Sequence, residues 1–471
     1  MITTVLPHRI WCAKPWSLSP AAAFTSSAAR AICPALNDRR NLPHSWVIFC
    51  VQPDISKQFR IPGMNKPLAF TFIIVTLTID AMGIGLIIPV MPDLLQDIEG
   101  GDLGHAAIWG GILSMVFALM QFLFGPTIGS LSDRYGRRPV LLVSLLVIAV
   151  DYVVMGLAHS IWLLVLTRVI GGIAAATQAT AAAFISDIST AENRSANFGI
   201  LGASFGVGFV LGPLIGGLLG EYGFRVPFFA AAGLASLNLL LGYFVLPETV
   251  SKELRRPFDP ARANPLGALV QIRKIPGLAR FLLVFFLYEF AFYSYPAIWV
   301  YYAKAQFHWE PGMVGLSLAS FGISVAVVEG LLIRRILPWL GERRTIVIGF
   351  MFNIAMFTAL GFLTSGFWAL IIAPFSALGS VVVPAMRGIM ANKAAANQQG
   401  EVQGIIASTQ SLAVIFAPLV LTYVFYLATR PGGPVFLPGA PFLLAAAVVA
   451  ITLTLFTTRP RGSISGQNST R

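Results

Sequence analysis

Long apolar stretches separated by short polar segments recur along the chain from residue 68 onward. Each is about twenty residues long, which as an α-helix crosses a hydrocarbon layer roughly 30 Å thick. The short alternating segments typical of a membrane β-barrel are not visible. The pattern predicts an all-α polytopic membrane protein with twelve transmembrane helices, at 68–90, 107–127, 140–158, 161–186, 197–220, 226–246, 280–302, 313–334, 344–363, 366–390, 403–427 and 439–457.

A polar interval rich in Arg and Pro separates the sixth apolar stretch from the seventh. It predicts two pseudo-symmetric six-helix bundles, at 64–246 and 279–458, with a cytoplasmic linker at 247–278 and a tail at 459–471. The halves also share a basic turn, because the segment from Gly129 to Arg138 has a weaker counterpart from Ile336 to Arg344. Two such bundles around a central site are the architecture of alternating access.

The first 63 residues do not follow this pattern and contain all three cysteines, Cys12, Cys33 and Cys50. Three explanations are open: an over-extended start with Met64 as the true beginning, a disordered extension, or a targeting segment. No function is assigned to this segment. Thiol chemistry is not expected in the rest of the chain, which has no cysteine.

The composition agrees with a membrane protein, with 56% hydrophobic residues, 11% charged residues and a mean hydropathy of +0.77. The net charge is +12, and between the apolar stretches the basic residues cluster in short loops on one side of the predicted membrane. The loop after the first stretch is acidic instead, with Asp93, Asp97, Glu99 and Asp102. The positive-inside rule therefore makes the basic loops and both termini cytoplasmic. The expected surroundings are a lipid bilayer and not a nucleic acid, which would need a basic face on a folded domain.

The segment from Gly125 to Arg138 is the most specific motif in the chain, and we interpret it as a conformational latch. Its predicted latch residues are Gly125, Gly129, Asp133, Arg134, Gly136, Arg137 and Arg138. Gly125 and Gly129 lie four residues apart, a spacing that favours close helix contact. Asp133 can accept hydrogen bonds from a helix N-terminus or a nearby Arg. The alternative is that Arg137 and Arg138 only fix the topology.

The fifth helix carries a second motif, in which small residues surround a proline. Its members are Gly202, Gly206, Gly208, Gly212, Pro213, Gly216 and Gly217. This spacing predicts a tight, leak-resistant contact between the two halves. Ordinary glycine packing is the alternative.

Charged residues inside apolar stretches cost about 2.5–3.5 kcal/mol each at a helix centre, so they indicate function. Five are present: Asp80, Asp151, Arg168, Glu289 and Glu329. A carboxylate there can take a proton from one side and release it to the other. The alternative is a structural ion pair of Asp80 or Asp151 with Arg168.

An aromatic cluster in the seventh helix is predicted either to line the cavity or to face lipid. It comprises Tyr288, Phe290, Phe292, Tyr293 and Tyr295.

Phosphate-binding loops, metal-ligand clusters and nucleophile motifs are absent from the sequence. We therefore expect no enzymatic activity, no metal, no ATP and no cofactor, and the proton gradient as the energy source.

Several of these segments resemble a known family. Gly125 to Arg138 resembles the helix 2–3 signature of the major facilitator superfamily, and the glycine pattern of helix five is similar to that of its antiporters. Within this superfamily, the chain resembles the tetracycline–proton antiporters most specifically. The resemblance extends from Met64 to helix eleven. It is based on segments 79–92, 133–144, 150–152, 307–309, 315–319, 341–344 and 399–404. The resemblance implies that Asp80 and Asp151 couple drug and proton, that Arg168 supports them, and that Gln121 lies on the drug pathway.

One departure from the family concerns its helix-nine acid, since the matching position here is Asn353, which cannot ionise. Glu289 and Glu329 occupy positions where those exporters tend to have Gln. We hypothesise that the second-half proton carrier has moved to Glu289 or Glu329, which leaves open whether tetracycline itself is the substrate.

The sequence thus predicts a proton-coupled antiporter that exports small organic molecules. The resemblance places it in the bacterial inner membrane, and a monomer is expected. Two alternatives are a proton-coupled importer on the same fold and a non-transporting membrane receptor or scaffold.

Overall fold

The computed structural model describes residues 66–175, 177–190, 192–250, 255, 277–393, 398–433 and 435–458. The predicted extension 1–63, the tail 459–471 and most of the linker 247–278 lie outside them. In the described part, 11 helical stretches are long and apolar enough to span a membrane. One of these, Pro311–Phe362, is 52 residues long and contains two helices that meet at the non-helical Gly341. Counted separately, they complete the predicted set of twelve.

Each predicted helix has a counterpart, and several are longer than predicted. They are α1 Leu68–Glu99, α2 Leu103–Tyr135, α3 Arg137–Leu157, α4 Ile161–Ile188, α5 Arg194–Gly220, α6 Val226–Val245, α7 Leu278–Phe307, α8 311–340, α9 342–362, α10 Gly366–Asn392, α11 Gln399–Thr429 and α12 Ala440–Thr457. Two of them are each divided into two α-helical segments: α4 into Ile161–Ala174 and Thr177–Ile188, and α7 into Leu278–Phe292 and Ser294–Phe307. Three others contain a 3₁₀ or π turn: α1 at Ile88–Val90, α8 at Val328–Leu332 and α10 at Ala377–Val381.

The first helix is longer than predicted, because it continues past residue 90 to Glu99. It tightens into a 3₁₀ turn at Ile88–Val90, which contains Pro89 and precedes Pro92, and each proline removes an amide donor. Gly100 then ends the helix with a left-handed φ of 62°. Asp93 and Asp97, predicted in a loop, therefore lie on the last turns of α1.

The basic turn after α2 is also shorter than predicted, because the latch motif is helical up to Tyr135. Only Gly136 separates α2 from α3, with φ 108° and ψ 156°. Gly341 separates α8 from α9 with φ 72° and ψ 160°. A side chain disfavours this region of backbone space, so glycine is required at both turns. The repeated geometry confirms the predicted equivalence of the two segments.

The helices form two groups of six, as the predicted fold requires. In the first group α1 packs on α5 and α6, and α3 on α4 and α6. In the second, α7 packs on α11 and α12, and α9 on α12. The groups meet chiefly where α2 packs against α11 and α5 against α8.

These contacts between the halves are concentrated at one end of the helices. At the end of α1, the ammonium of Lys304 on α7 lies 2.5 Å from Oδ1 of Asp93. Nearby, a Cβ added to Gly217 of α5 would lie 3.1 Å from the Cα of Gly315 on α8. At the opposite end, near the Gly136 turn, a Cβ added to Gly125 or Gly129 would meet no atom within 4 Å. The halves are therefore in close contact at the Asp93 end, while these two α2 positions face open space.

Candidate functional site

A cavity of about 360 Å³ lies between the halves, lined by residues of α1 to α5, α7 and α11. Its wall is largely apolar and aromatic. Four predicted pathway residues line it together: Asp80, Gln121, Asp151 and Arg168. This is the usual composition of a small-molecule site, in which a few polar groups orient a ligand among apolar walls. The sequence-predicted cluster of the first half is therefore assembled in space.

The central polar contact of the cavity is an ion pair between α3 and α4. Arg168 Nη2 lies 2.9 Å from Asp151 Oδ2 and also contacts the sulfur of Met155. The guanidinium lies over the ring of Phe117, 5.2 Å from its centroid. Both charged residues are buried, with Asp151 7% and Arg168 8% exposed. The structural ion pair left open by the sequence is thus present, and the same pair also lines the cavity.

The surroundings of this pair leave one oxygen available to a ligand or proton. Asp151 Oδ1 is buried and makes no hydrogen bond within the described part of the chain. Gly171 provides the space, because a Cβ there would lie 2.9 Å from Asp151 Oδ2. Gln121 Nε2 donates to the carbonyl of Ala175 at 3.3 Å. An acid with an unused oxygen is thereby held beside a fixed cation.

The predicted residues of the second half lie elsewhere: Glu289, Glu329 and Asn353 are not among the residues lining this cavity. Asn353 is fully buried and donates to Tyr288 Oη at 3.2 Å and to the Gly379 carbonyl at 3.3 Å. It therefore joins α7, α9 and α10 and does not line this cavity. Glu329 lies in a π-helical turn, Val328–Leu332, within the apolar stretch of α8, and its side chain is exposed at the surface of the protein.

The aromatic cluster of α7 matches neither predicted alternative as a whole. Tyr293 lines the cavity. Tyr288 and Tyr295 are buried in the core of the second half, where Tyr295 contacts Phe321 and Phe357 with ring centroids 4.8 and 5.2 Å away. Their main role is packing among the second-half helices.

The charged residues of the latch form a network at the ends of α2, α3 and α4. Arg137 lies 2.5 Å from Asp133 and 3.2 Å from Asp187 of α4. Glu248, just after α6, accepts the backbone N–H groups of Arg137 at 2.9 Å and Arg138 at 3.3 Å, so it caps the start of α3. Asp187 and Glu248 were missed in the sequence, because Asp187 ends an apolar stretch and Glu248 fell in the linker.

The remaining latch residues depart from the prediction in one respect. Gly125 and Gly129 make no close helix contact in this conformation, since they face open space. Arg134 is exposed, with its guanidinium 5.2 Å from the ring centroid of Tyr135.

The glycine motif of α5 packs mainly within its own half. Added Cβ atoms at Gly208, Gly212 and Gly216 would strike the backbone of α1. Only Gly217 and Pro213 reach the other half, where they approach α8 at Gly315. At Gly202 and Gly206 an added Cβ meets nothing within 4 Å. The predicted contact between the halves is therefore confined to one end of the motif, because the other glycines face α1 or open space.

Two further residues at key contacts were missed in the sequence. Arg387 lies within the tenth apolar stretch, and the rule that detected the other five membrane charges applies to it equally. Its Nη2 donates to Gln410 at 2.7 Å. Lys304 sits at the end of a helix, where a lysine carries no distinctive signal, and only the fold pairs it with Asp93.

With the site in place, comparison with known proteins identifies the family. The sequence profile of the Major Facilitator Superfamily matches residues 73–418 and 281–470. The chain belongs to this superfamily. It is therefore a multi-pass membrane transporter and not an enzyme, as predicted.

Individual relatives agree with this assignment. The class C tetracycline resistance protein of Escherichia coli is 39% identical over 77% of this chain and 91% of its own length. The class E protein of Escherichia coli is 35% identical, over 82% and 95%. Among solved structures, the human organic anion transporter MFSD10 (TETRAN) superposes with a TM-score of 0.62 at 25% identity, covering 83% of this chain and 100% of that one.

Proposed function

We propose that this transporter is a proton-coupled antiporter that exports small, amphipathic organic molecules of the tetracycline type by alternating access. The observation that carries the proposal is the cavity in which Asp80, Gln121, Asp151 and Arg168 face one apolar and aromatic space. Membrane-embedded carboxylates are rarely retained without a role in transport or ion relay.

The exchange follows from competition for the same acids. When Asp151 is ionised it pairs with Arg168 at 2.9 Å. A proton on the carboxyl group weakens that pair and removes one negative charge from the cavity. A cationic or strongly polar group of the substrate favours the ionised acids, so substrate and proton exclude each other. Mutually exclusive binding within one alternating cavity yields antiport.

The conformation supports the same cycle. The halves are closed at the Asp93 end, where Lys304 forms its ion pair, and separated along α2 near the Gly136 turn. If the basic loops are cytoplasmic, as the positive-inside rule predicts, this state loads substrate from the cytoplasm. Both termini are then cytoplasmic, and the relatives from Escherichia coli favour the bacterial inner membrane. A monomer suffices, since both halves of the cavity come from one chain.

The test uses everted membrane vesicles with an imposed proton gradient, acid inside. Adding tetracycline should release protons from wild-type vesicles and drive drug uptake into them. Asp80→Asn and Asp151→Asn should each abolish the coupled response. Glu401→Gln, which changes an exposed carboxylate at the start of α11, is the matched control and should retain it.

The outcome also separates the alternatives. Drug moving out of everted vesicles with the protons would indicate an importer. Full uphill transport by both neutral variants would refute coupling through these acids.

A further inference from the structure

A second polar cluster lies in the other half of the transporter, apart from the cavity lining. Arg387 on α10 donates to Oε1 of Gln410 on α11 at 2.7 Å, and Gln410 Nε2 in turn donates to Oε2 of Glu289 on α7 at 3.4 Å. Glu289 is only 7% exposed. Its other oxygen, Oε1, is buried and makes no hydrogen bond within the described residues.

A second carboxylate shares the same cation. The positive charge of Arg387 acts electrostatically on both Glu289 and Glu329. Glu329 is exposed and lies on the π-helical turn of α8, an irregularity often found at functional sites. The guanidinium of Arg387 therefore lies near enough to a buried and an exposed acid to interact with both charges.

The charges of this cluster do not balance. With both acids ionised, two negative charges share the single positive charge of Arg387. An uncompensated charge next to a buried carboxylate is strongly unfavourable, so the cluster favours uptake of one cation. The unused, buried Oε1 of Glu289 is the position at which a proton would be held.

The arrangement repeats that of the first half. There Arg168, on the fourth helix of its bundle, holds Asp151. Here Arg387, on the fourth helix of the second bundle, is linked through Gln410 to Glu289. The two sites share an arginine on the fourth helix of the bundle, but its partner acid is on the third helix and directly paired in the first half, and on the first helix and linked through Gln410 in the second.

We infer that Glu289, Gln410 and Arg387 form a second proton-binding site, with Arg387 as a positioning residue that holds Gln410 against Glu289. The inference rests on the proposed antiport and adds to it the second-half carrier and its counter-ion. Asn353 and Tyr288 hold the neighbouring helices but do not carry the charge. Among the described residues, α12, which packs on α7, carries no charged residue, and the charged residues of α2, α9 and α11 lie at the ends of those helices.

The test is an infrared difference titration of the purified full-length protein in lipid vesicles, without drug. A protonated carboxyl band should titrate in the wild type and disappear in Glu289→Gln. In Arg387→Gln the titration midpoint of this band should move to higher pH, because the cation that favours the ionised acid is gone. The expected shift is about one pH unit or more, which corresponds to about a tenfold increase in proton affinity. Arg387→Lys should move it less.

Controls separate positioning from a merely structural role. Arg343→Gln, at an exposed arginine at the start of α9, should leave the midpoint unchanged. A purely structural Arg387 would lower the melting temperature without moving the midpoint, and that result would overturn the inference. A carboxyl band that persists in Glu289→Gln would also overturn the inference. So would a sodium-dependent response at constant pH that Glu289→Gln abolishes, because the site would then bind sodium.

Because no drug is added, the result is independent of the antiport assay. A normal titration in a protein that fails to exchange drug for protons would refute only the proposed function. Drug–proton exchange with no Glu289 titration would refute only this inference.

Discussion

The ion pair between Asp93 and Lys304 gives the sharpest test of the conformational cycle. It is the salt bridge that joins the two halves at their closed end among the described residues. The side chains are 26% and 14% exposed, and the charged atoms lie 2.5 Å apart. Asp93→Asn removes the charge on one side of this contact. We expect it to favour the state that is open at this end.

The magnitude follows from the partial burial of the pair. Exposed ion pairs contribute up to about 1 kcal/mol, and breaking a fully buried pair costs about 3–5 kcal/mol. A half-buried pair should therefore contribute about 1–2 kcal/mol to the closed state. Since about 1.4 kcal/mol is a factor of ten, the open population should rise roughly 5- to 30-fold.

The assay measures access to the cavity from the Asp93 end. The three native cysteines are first changed to serine. A single cysteine then replaces Ile88, which lines the cavity at the start of the 3₁₀ turn of α1. The rate of labelling by a membrane-impermeant maleimide then reports the open population. Asp93→Asn should raise the labelling rate roughly 5- to 30-fold. The charge-exchanged double variant, Asp93→Lys with Lys304→Asp, should return the rate to the wild-type value.

A matched control lies on the same helix. Asp97 pairs with Arg225 at 2.8 Å, but this contact joins two segments of the first half. Asp97→Asn should therefore leave the labelling rate unchanged. If Asp93→Asn does the same, the reasoning about closure at this end is refuted.

Three further predictions concern stability and packing. Arg168→Gln leaves the Asp151 charge buried alone and should cost about 3–5 kcal/mol of stability; adding Asp151→Asn should recover most of the lost melting temperature but not transport. Glu248→Gln weakens the cap of α3 and should cost about 1–2 kcal/mol, seen as a lower melting temperature in detergent. Gly315→Ala should block transport, because its Cβ would strike the Pro213 carbonyl on α5; Gly404→Ala, which meets open space, should leave transport intact.

Each of the three has a contradicting result. Arg168→Gln with unchanged stability would mean that the pair is not buried in the membrane. No change in melting temperature for Glu248→Gln would refute its capping role, and normal transport by Gly315→Ala would refute tight packing at that crossing.

Much of the fold was accessible to sequence reasoning because spanning a bilayer imposes one strong requirement. Every backbone group must be hydrogen-bonded internally, so twenty-residue apolar runs become helices wherever they occur. The positions of the twelve helices followed from this rule. The errors were local: the continuation of α1 past Pro89 and the reduction of a predicted loop to Gly136 depend on which amide groups find partners.

The candidate site was predicted only in part. The cost of a membrane charge singled out Asp80, Asp151 and Arg168, and the structure brings them to one cavity. The same rule could not tell that Glu289 lies outside that cavity, that Asn353 is a packing residue, or that Lys304 pairs with Asp93 across the halves.

The sequence alone determined how many helices cross the membrane and which of them carry charge. The tertiary structure decided which face of each helix meets the cavity, the neighbouring helices or the lipid. The physical reason is that lipid and protein interior are equally apolar, so a spanning helix has no polar face to mark its orientation. Only close packing, such as that of Gly217 against Gly315, fixes the rotation of each helix and so assembles the site.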